Sequence, residues 1–131
     1  MSLNQEFKKF KNNISIDTKL SNYSWFNLGG PAEYLFKPEN KIQLVEFLKV
    51  NKKNNLKITI LGAGSNTLIR DNGVKGIVIK LSKKFSDINL IDDESLEVGA
   101  AALDKTVANF AKDTSPTCKP LNRIPQHPLF P

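Results

Sequence analysis

The sequence contains little of what several common functional classes require. Its single cysteine, Cys118, excludes an internal disulfide and a cysteine-rich metal site. No apolar run approaches the roughly 18 residues that a membrane-spanning helix needs. The polar, basic start MSLNQEFKKFKNN also lacks the apolar core of a signal peptide. These absences predict a cytoplasmic protein that does not associate with membranes.

Arginine is almost missing from an otherwise basic chain. The net charge is +6, yet Arg70 and Arg123 are the only arginines among 19 basic residues. Nucleic-acid-binding proteins usually cluster arginine and aromatic residues on one face, whereas the lysine blocks KKFK, NKKNNLK and SKKF are short and scattered. We therefore expect a solvated lysine surface with no nucleic-acid site and only a general attraction for anions.

The order of apolar patterns predicts a small α+β domain with a partly parallel sheet. Strands are expected over 32–37, 57–61 and 76–81, and the segments INLI and LEVGA around the turn DDES indicate a hairpin. A helix is predicted between the first two strands, and such a strand–helix–strand unit favours parallel pairing.

Helices are predicted over 4–12, 41–53 and 103–112, with Asn40 as the N-cap of the second. Apolar residues at helical spacing define the expected buried faces of the two longer helices. These faces hold Ile42, Leu44, Val45, Phe47 and Leu48 in the first, and Leu103, Val107, Phe110 and Ala111 in the second.

Composition divides the chain into three segments. Residues 1–23 are interpreted as an N-terminal extension, 24–113 as the folded domain and 114–131 as an irregular tail. Five of the seven prolines fall within 115–131, and proline at this density prevents both helix formation and strand pairing.

The stretch ILGAGSNTLIRDNG, residues 60–73, places two glycines, a serine and an asparagine between an apolar run and a turn signal. A dinucleotide-binding fingerprint would need a third glycine and a helix directly after the loop, but only TLIRD precedes the Asn-Gly turn. A nucleotide-binding P-loop would need a lysine after its last glycine. Neither motif is therefore predicted.

Two interpretations of this loop remain open on residue chemistry alone. Glycines end strands and form turns without any ligand. Alternatively, a strand-to-strand loop without side chains lets backbone N–H groups approach an anion such as a pyrophosphate. Ser65 and Asn66 would then add side-chain donors suited to phosphate or ribose oxygens.

Three motifs in order resemble the UDP-N-acetylenolpyruvoylglucosamine reductase family. The segment ILGAGSNTLIRDNGVKGIVIKL is similar to the flavin-binding signature of that family. Upstream, SWFNLGGPAEYLFKP resembles the motif that precedes its first strand, and downstream LEVGAAALDKTVANFAKD resembles its next segment and helix. The resemblance covers residues 24–113.

The resemblance implies an FAD-binding domain of the PCMH type, which is the fold of vanillyl-alcohol oxidase, with FAD bound non-covalently. It places the FAD pyrophosphate at one loop and the cofactor near a second stretch. The implied cofactor-binding residues are Gly62, Ala63, Gly64, Ser65 and Asn66 in the loop, and Gly99, Ala100 and Ala101 in the second stretch. In the full-length family, NADPH supplies hydride and the enolpyruvyl ether of a UDP-sugar is reduced to a lactyl ether.

The family pattern ends at about residue 113. The family's second flavin motif, Gly-Ile-Pro-Gly-x-x-Gly-Gly, should follow, but LNRIPQHPLFP stands there instead. We therefore expect a truncated or frame-disrupted chain that is inactive alone, with the UDP-sugar bound only when the missing domain is present. No catalytic residue is assigned, since the resemblance places the proton donor in a later domain. Arg123, Cys118 and His127 are interpreted as plain tail residues.

No metal site is predicted, because consecutive acidic residues in the turn DDES are typical of a solvated hairpin tip. Other functions compatible with the sequence are a non-catalytic flavin-binding module, an inert fragment or a different PCMH-type flavin oxidoreductase. The GGPA motif argues against the last of these.

Overall fold

The structure is a computed structural model that describes residues 5–65 and 67–114. The elements are, in order, a 3₁₀ helix Gln5–Asn13, β1 Ile14–Lys19, a 3₁₀ helix Leu20–Tyr23, β2 Pro31–Phe36, α1 Lys41–Asn54, β3 Ile58–Leu61, β4 Val74–Lys80, a 3₁₀ turn Lys83–Phe85, β5 Ile88–Asp92, β6 Ser95–Val98 and α2 Asp104–Thr114. The predicted strands, hairpin and two longer helices are present, with their ends shifted by one or two residues.

The main sheet has the strand order β1-β2-β4-β3. Strand β4 lies between β2 and β3 and is parallel to both, while β1 pairs antiparallel with β2. Helix α1 connects β2 to β3. The predicted α+β class with a partly parallel sheet is therefore confirmed, and β5 and β6 form the separate antiparallel hairpin.

An aromatic cluster fills the space between the sheet and α1. Phe36 from β2 stacks on Phe47 from α1, with ring centroids 3.8 Å apart and planes at 15°. Phe10 packs edge-on against both rings at 5.7 and 5.2 Å, and Phe7 lies 5.4 Å from Phe47. All four rings are buried, so this cluster is the main apolar anchor of the helix.

Residues 5–23 have a structural role that the sequence analysis did not anticipate. They supply Phe7 and Phe10 to the aromatic cluster and the edge strand β1 to the sheet. Strand β1 has no buried residue, so its sequence, ISIDTK, carries only weak apolar alternation. This is why the strand was not predicted.

The predicted apolar face of α1 is partly wrong. The N-cap is as expected, because the Asn40 side chain accepts a hydrogen bond from Gln43 N at 2.9 Å. Phe47 is buried and Leu44 packs beside it, but Ile42, Val45 and Leu48 are exposed. The apolar residues of this helix are spread around its circumference, so the pattern alone does not define one buried side. The stack of Phe36 on Phe47 determines which side faces the sheet.

A second cluster covers the opposite face of the sheet and underlies the glycine loop. It contains Leu20, Ala32, Leu35, Leu61, Ile69 and Val78. Because Leu61 and Ile69 flank the loop, their burial anchors both of its ends on the sheet.

Helix α2 packs lightly on the rest of the domain. None of its residues is buried. Val107, Phe110 and Ala111 are half-buried on the predicted face, but Leu103 is exposed and does not belong to it. Within the described residues, no helix is long and apolar enough to span a bilayer.

Replacing Phe47 with alanine is expected to destabilise the domain by about 3–5 kcal/mol, the usual effect of removing a buried aromatic ring. Urea unfolding monitored by circular dichroism measures the change. Ile42→Ala is the matched control on the same helix, because that side chain is 74% exposed and its loss should change stability by less than about 0.5 kcal/mol. Equal effects of the two substitutions would contradict the packing described here.

Candidate cofactor site

The carboxyl ends of three parallel strands meet at one edge of the sheet. Phe36 of β2 and Ile60 of β3 both pair with Ile79 of β4. One residue further along, Lys37 and Leu61 lie on either side of Lys80. Side chains alternate along strands, so the two lysines lie on the face opposite α1.

A cavity of about 680 Å³ opens at this edge, which is within the roughly 300–1,000 Å³ typical of small-molecule sites. It is bounded by the second 3₁₀ helix, the ends of β2, β3 and β4, and the segment before α2. The lining residues are Tyr23, Trp25, Lys37, Gly62, Ala63, Lys80, Leu81, Ser82, Lys83, Ser86, Ala101, Ala102, Leu103 and Thr106.

Gly62 differs from the other six glycines of the chain. At each of the others, an added Cβ would lie within 3.0 Å of another protein atom, whereas at Gly62 it would meet nothing within 4 Å. The φ of Gly62 also lies outside the left-handed region. The fold therefore gives no internal reason for glycine at this position, and Gly62 is one of the residues that line the cavity.

Gly64 is required by the loop itself. Its φ is +76°, and a Cβ would lie 2.0 Å from the carbonyl oxygen of Tyr23. The Gly64 carbonyl accepts a hydrogen bond from Trp25 N at 3.1 Å. Gly64 therefore allows the loop to pack closely on residues 23–25, which places the 70% exposed Trp25 side chain at the cavity.

The second predicted stretch reaches the cavity through backbone pairing with the turn before β5. Gly99 N donates to Asp87 O at 2.8 Å, and Ala101 N donates to Phe85 O at 2.9 Å. A Cβ on Gly99 would lie 2.2 Å from Phe85 O, so this glycine permits the close approach. Ala101 then lines the cavity.

The structure brings together some of the predicted site residues. Gly62, Ala63 and Ala101 line one cavity although about forty residues separate them in the chain. Four other predicted residues lie next to these lining residues in the sequence but do not themselves line the cavity: Gly64, Ser65, Gly99 and Ala100. Asn66 lies outside the described residues.

The basic character of the cavity was not predicted. Lys37, Lys80 and Lys83 line it, and none of the fourteen lining residues is acidic. Lys80 Nζ donates a hydrogen bond to the Gly62 carbonyl. Lys37 Nζ donates to Tyr23 Oη and lies 4.6 Å from the centre of that ring.

Burial and a neighbouring charge lower the pKa of Lys80. Desolvation is the largest cause, the Lys37 ammonium adds to it, and Tyr23 opposes both. The Lys80 side chain is partly buried and lies beside a second cation. Such a group is stabilised by an anion entering the cavity.

The remaining candidate groups give no further site. Among the residues that the structure describes, no cluster of histidine, cysteine and acidic side chains could hold a metal ion. The Asp92 carboxylate accepts a hydrogen bond from Glu94 N at 2.9 Å; this bond and one from Ser95 lower the pKa of Asp92. Cys118, Arg123 and His127 lie outside the described residues.

Residues 32–126 match the family model described as FAD binding domain. The chain belongs to this family. The FAD-binding domain that the resemblance implies is therefore confirmed.

Curated relatives named UDP-N-acetylenolpyruvoylglucosamine reductase are similar to most of the chain. The relative from Pelagibacter ubique is 44% identical over 111 residues, which are 82% of this chain and 36% of the relative. The relative from Rickettsia canadensis is 46% identical over 96 residues, covering 73% and 32% respectively. The relative from Gluconobacter oxydans is 44% identical over 104 residues, covering 79% and 33%. The chain thus spans about a third of the length of these relatives.

The cavity of this FAD binding domain fits the chemistry of its cofactor. Because Gly62 has no side chain, a ligand atom can approach its backbone closely. Three lysine ammonium groups line the cavity, and no carboxylate does. Trp25, Leu81 and Leu103 add apolar surface suited to flat rings.

Gly62→Ala should weaken FAD binding about tenfold or more while leaving the fold intact. The new methyl group would occupy space open to the ligand and meet no protein atom. Calorimetric titration with FAD measures affinity, and a thermal melt measures stability. An unchanged affinity would remove Gly62 from the cofactor site.

Gly64→Ala is the matched comparison, and it should act on the fold. A left-handed φ costs a residue with a Cβ about 1–2 kcal/mol, and the contact with Tyr23 O adds to this. We expect Tm to fall by about 4–8 °C or more. A melt identical to that of Gly62→Ala would contradict the difference between the two glycines.

Lys80→Met should remove a pH-dependent penalty on stability, because the folded state disfavours the charged form of Lys80. The folded pKa of Lys80 is below its ordinary value of 10.5, so the folded chain binds fewer protons than the unfolded chain between the two pKa values, and stability rises with pH there. The parent should therefore gain Tm relative to Lys80→Met as pH rises towards 10.5. A constant difference in Tm across this range would show that Lys80 titrates normally.

Proposed function

We propose that this chain is the FAD-binding part of a UDP-N-acetylenolpyruvoylglucosamine reductase. The support comes from 44–46% identity to proteins of that name, together with a basic cavity beside Gly62. The reaction would reduce the enolpyruvyl ether of UDP-N-acetylglucosamine to the lactyl ether of UDP-N-acetylmuramate, a precursor of peptidoglycan. The relatives' substrate and pathway suggest a cytoplasmic enzyme.

The chain's own residues would bind and orient the cofactor. The loop 62–66 would contact the pyrophosphate through backbone N–H groups, and the stretch 99–101 would form the opposite wall. When bound, FAD would supply the redox chemistry that links NADPH to the substrate double bond. Our proposal assigns no proton donor to the described residues.

We propose the division of the chain into an extension 1–23, an FAD-binding domain 24–113 and a Pro-rich tail 114–131. The extension would also support the domain, because its two phenylalanines complete the aromatic cluster. The UDP-sugar would be bound with the help of segments that the longer relatives contain and this match does not include. Residues 1–131 alone are therefore expected to bind FAD without turnover.

A chimera tests the proposed function. Residues 5–113 replace the matching segment of the Pelagibacter ubique relative, and the product is incubated with FAD, NADPH and UDP-N-acetylglucosamine enolpyruvate. We expect NADPH oxidation that depends on the enolpyruvyl substrate and yields the muramate product. Ile42→Ala in the chimera is the control that should retain this activity, and Gly62→Ala should reduce it.

A chimera that binds FAD but leaves the substrate unreduced, while the intact relative turns over, would contradict the reductase assignment. That result would favour a non-catalytic flavin-binding module. Because FAD binding is measured separately, loss of the cofactor and loss of the reaction can be distinguished.

A further inference from the structure

We propose that Lys37 and Lys80 form a paired site for the diphosphate of the dinucleotide, and that Lys80 also positions the glycine loop. The inference rests on the proposed function and assigns two specific residues to cofactor recognition. It depends on three observations: the alignment of the strand ends, the neutral partners of both ammonium groups and the charge of the cavity.

The sheet register places the two lysines side by side. Strand β2 ends at Phe36, which pairs with Ile79 of the parallel strand β4. Lys37 directly follows Phe36, and Lys80 directly follows Ile79. Both lysines line the cavity. Because the two lysines are 43 positions apart in the sequence, only the folded sheet creates this pair.

Both ammonium groups are held by neutral oxygens. Lys37 donates to the Tyr23 hydroxyl and Lys80 donates to the Gly62 carbonyl. Across residues 5–65 and 67–114, the ion pairs are Lys9–Glu46 and Lys53–Glu6, so neither cavity lysine has a carboxylate within ion-pair distance. Their charges remain available to a ligand.

The charge of the site matches that of a diphosphate diester. Two like charges at the ends of adjacent strands repel each other, and Lys80 is also partly buried. An anion between the two ammonium groups would offset both effects. The diphosphate of FAD carries two negative charges, one on each phosphate, and therefore offers one charge to each lysine. A short N–H···O⁻ bond from each ammonium group would also fix its position.

Lys80 has a second role because its partner is the open glycine. Its bond to the Gly62 carbonyl fixes the orientation of the peptide that follows Gly62. The N–H of that peptide then points away from the bonded carbonyl, as a planar trans peptide requires. Lys80 is therefore a positioning residue for the loop as well as a ligand for the anion.

The test is a calorimetric titration of FAD into the parent chain and into Lys37→Met, Lys80→Met, Lys80→Arg and Lys75→Met, each at low and high salt. Lys75 is the matched control, because it is an exposed lysine on the same strand β4. A thermal melt of each variant confirms that it is folded. Lys37→Met does not remove the bond to the loop and so tests the anion site independently of loop positioning.

We expect Lys37→Met and Lys80→Met each to weaken FAD binding about tenfold or more. Each should also make the affinity less dependent on salt, because one charge pair is lost. Lys75→Met should match the parent, and Lys80→Arg should recover much of the affinity because it keeps the charge and the donor.

Three outcomes would overturn the inference. Unchanged affinity and salt dependence in both Met variants would show that neither lysine contacts the diphosphate. Weaker binding with an unchanged salt dependence would reduce their role to support of the loop. A parent chain that binds no FAD would overturn both this inference and the proposed function, whereas the first two outcomes leave the proposed function standing.

Discussion

The parallel pairing of β4 with both β2 and β3 is the constraint on which the rest of the structure depends. It brings three strand ends to one edge, so that residues from distant parts of the chain surround one cavity. Helix α1 makes this pairing possible, because it carries the chain from β2 back to the start of β3, and the Phe36–Phe47 stack holds it against the sheet. The cofactor site therefore depends on an aromatic contact on the opposite face of the sheet.

Local sequence patterns predicted most of the helices and strands, but they did not predict which face of α1 packs against the sheet. Strands such as 76–81 contain β-branched runs bounded by glycine, and Asn40 provides a clear N-cap, so both were found. Strand β1 was missed because this short edge strand, whose side chains are mostly exposed, carries only weak apolar alternation. The face of α1 was misassigned because it is determined by Phe36, which lies outside the helix.

The candidate site was predictable where its chemistry is local and unpredictable where it is not. The glycine loop appears as a contiguous motif, and the family match confirms an FAD binding domain. Lys37 and Lys80 are separated in sequence and look like ordinary surface lysines until the register of the sheet is known. The sequence also could not distinguish Gly64, which the backbone of Tyr23 requires, from Gly62, which nothing in the described protein requires.

The position of Trp25 has a consequence for how events in the cavity can be observed. It is the only tryptophan in the chain, it is 70% exposed and it lines the cavity. Its backbone N–H donates to the Gly64 carbonyl, so the residue that carries the indole is tied directly to the glycine loop. The intrinsic tryptophan emission of this protein therefore originates at the cavity wall and provides a natural optical probe of it.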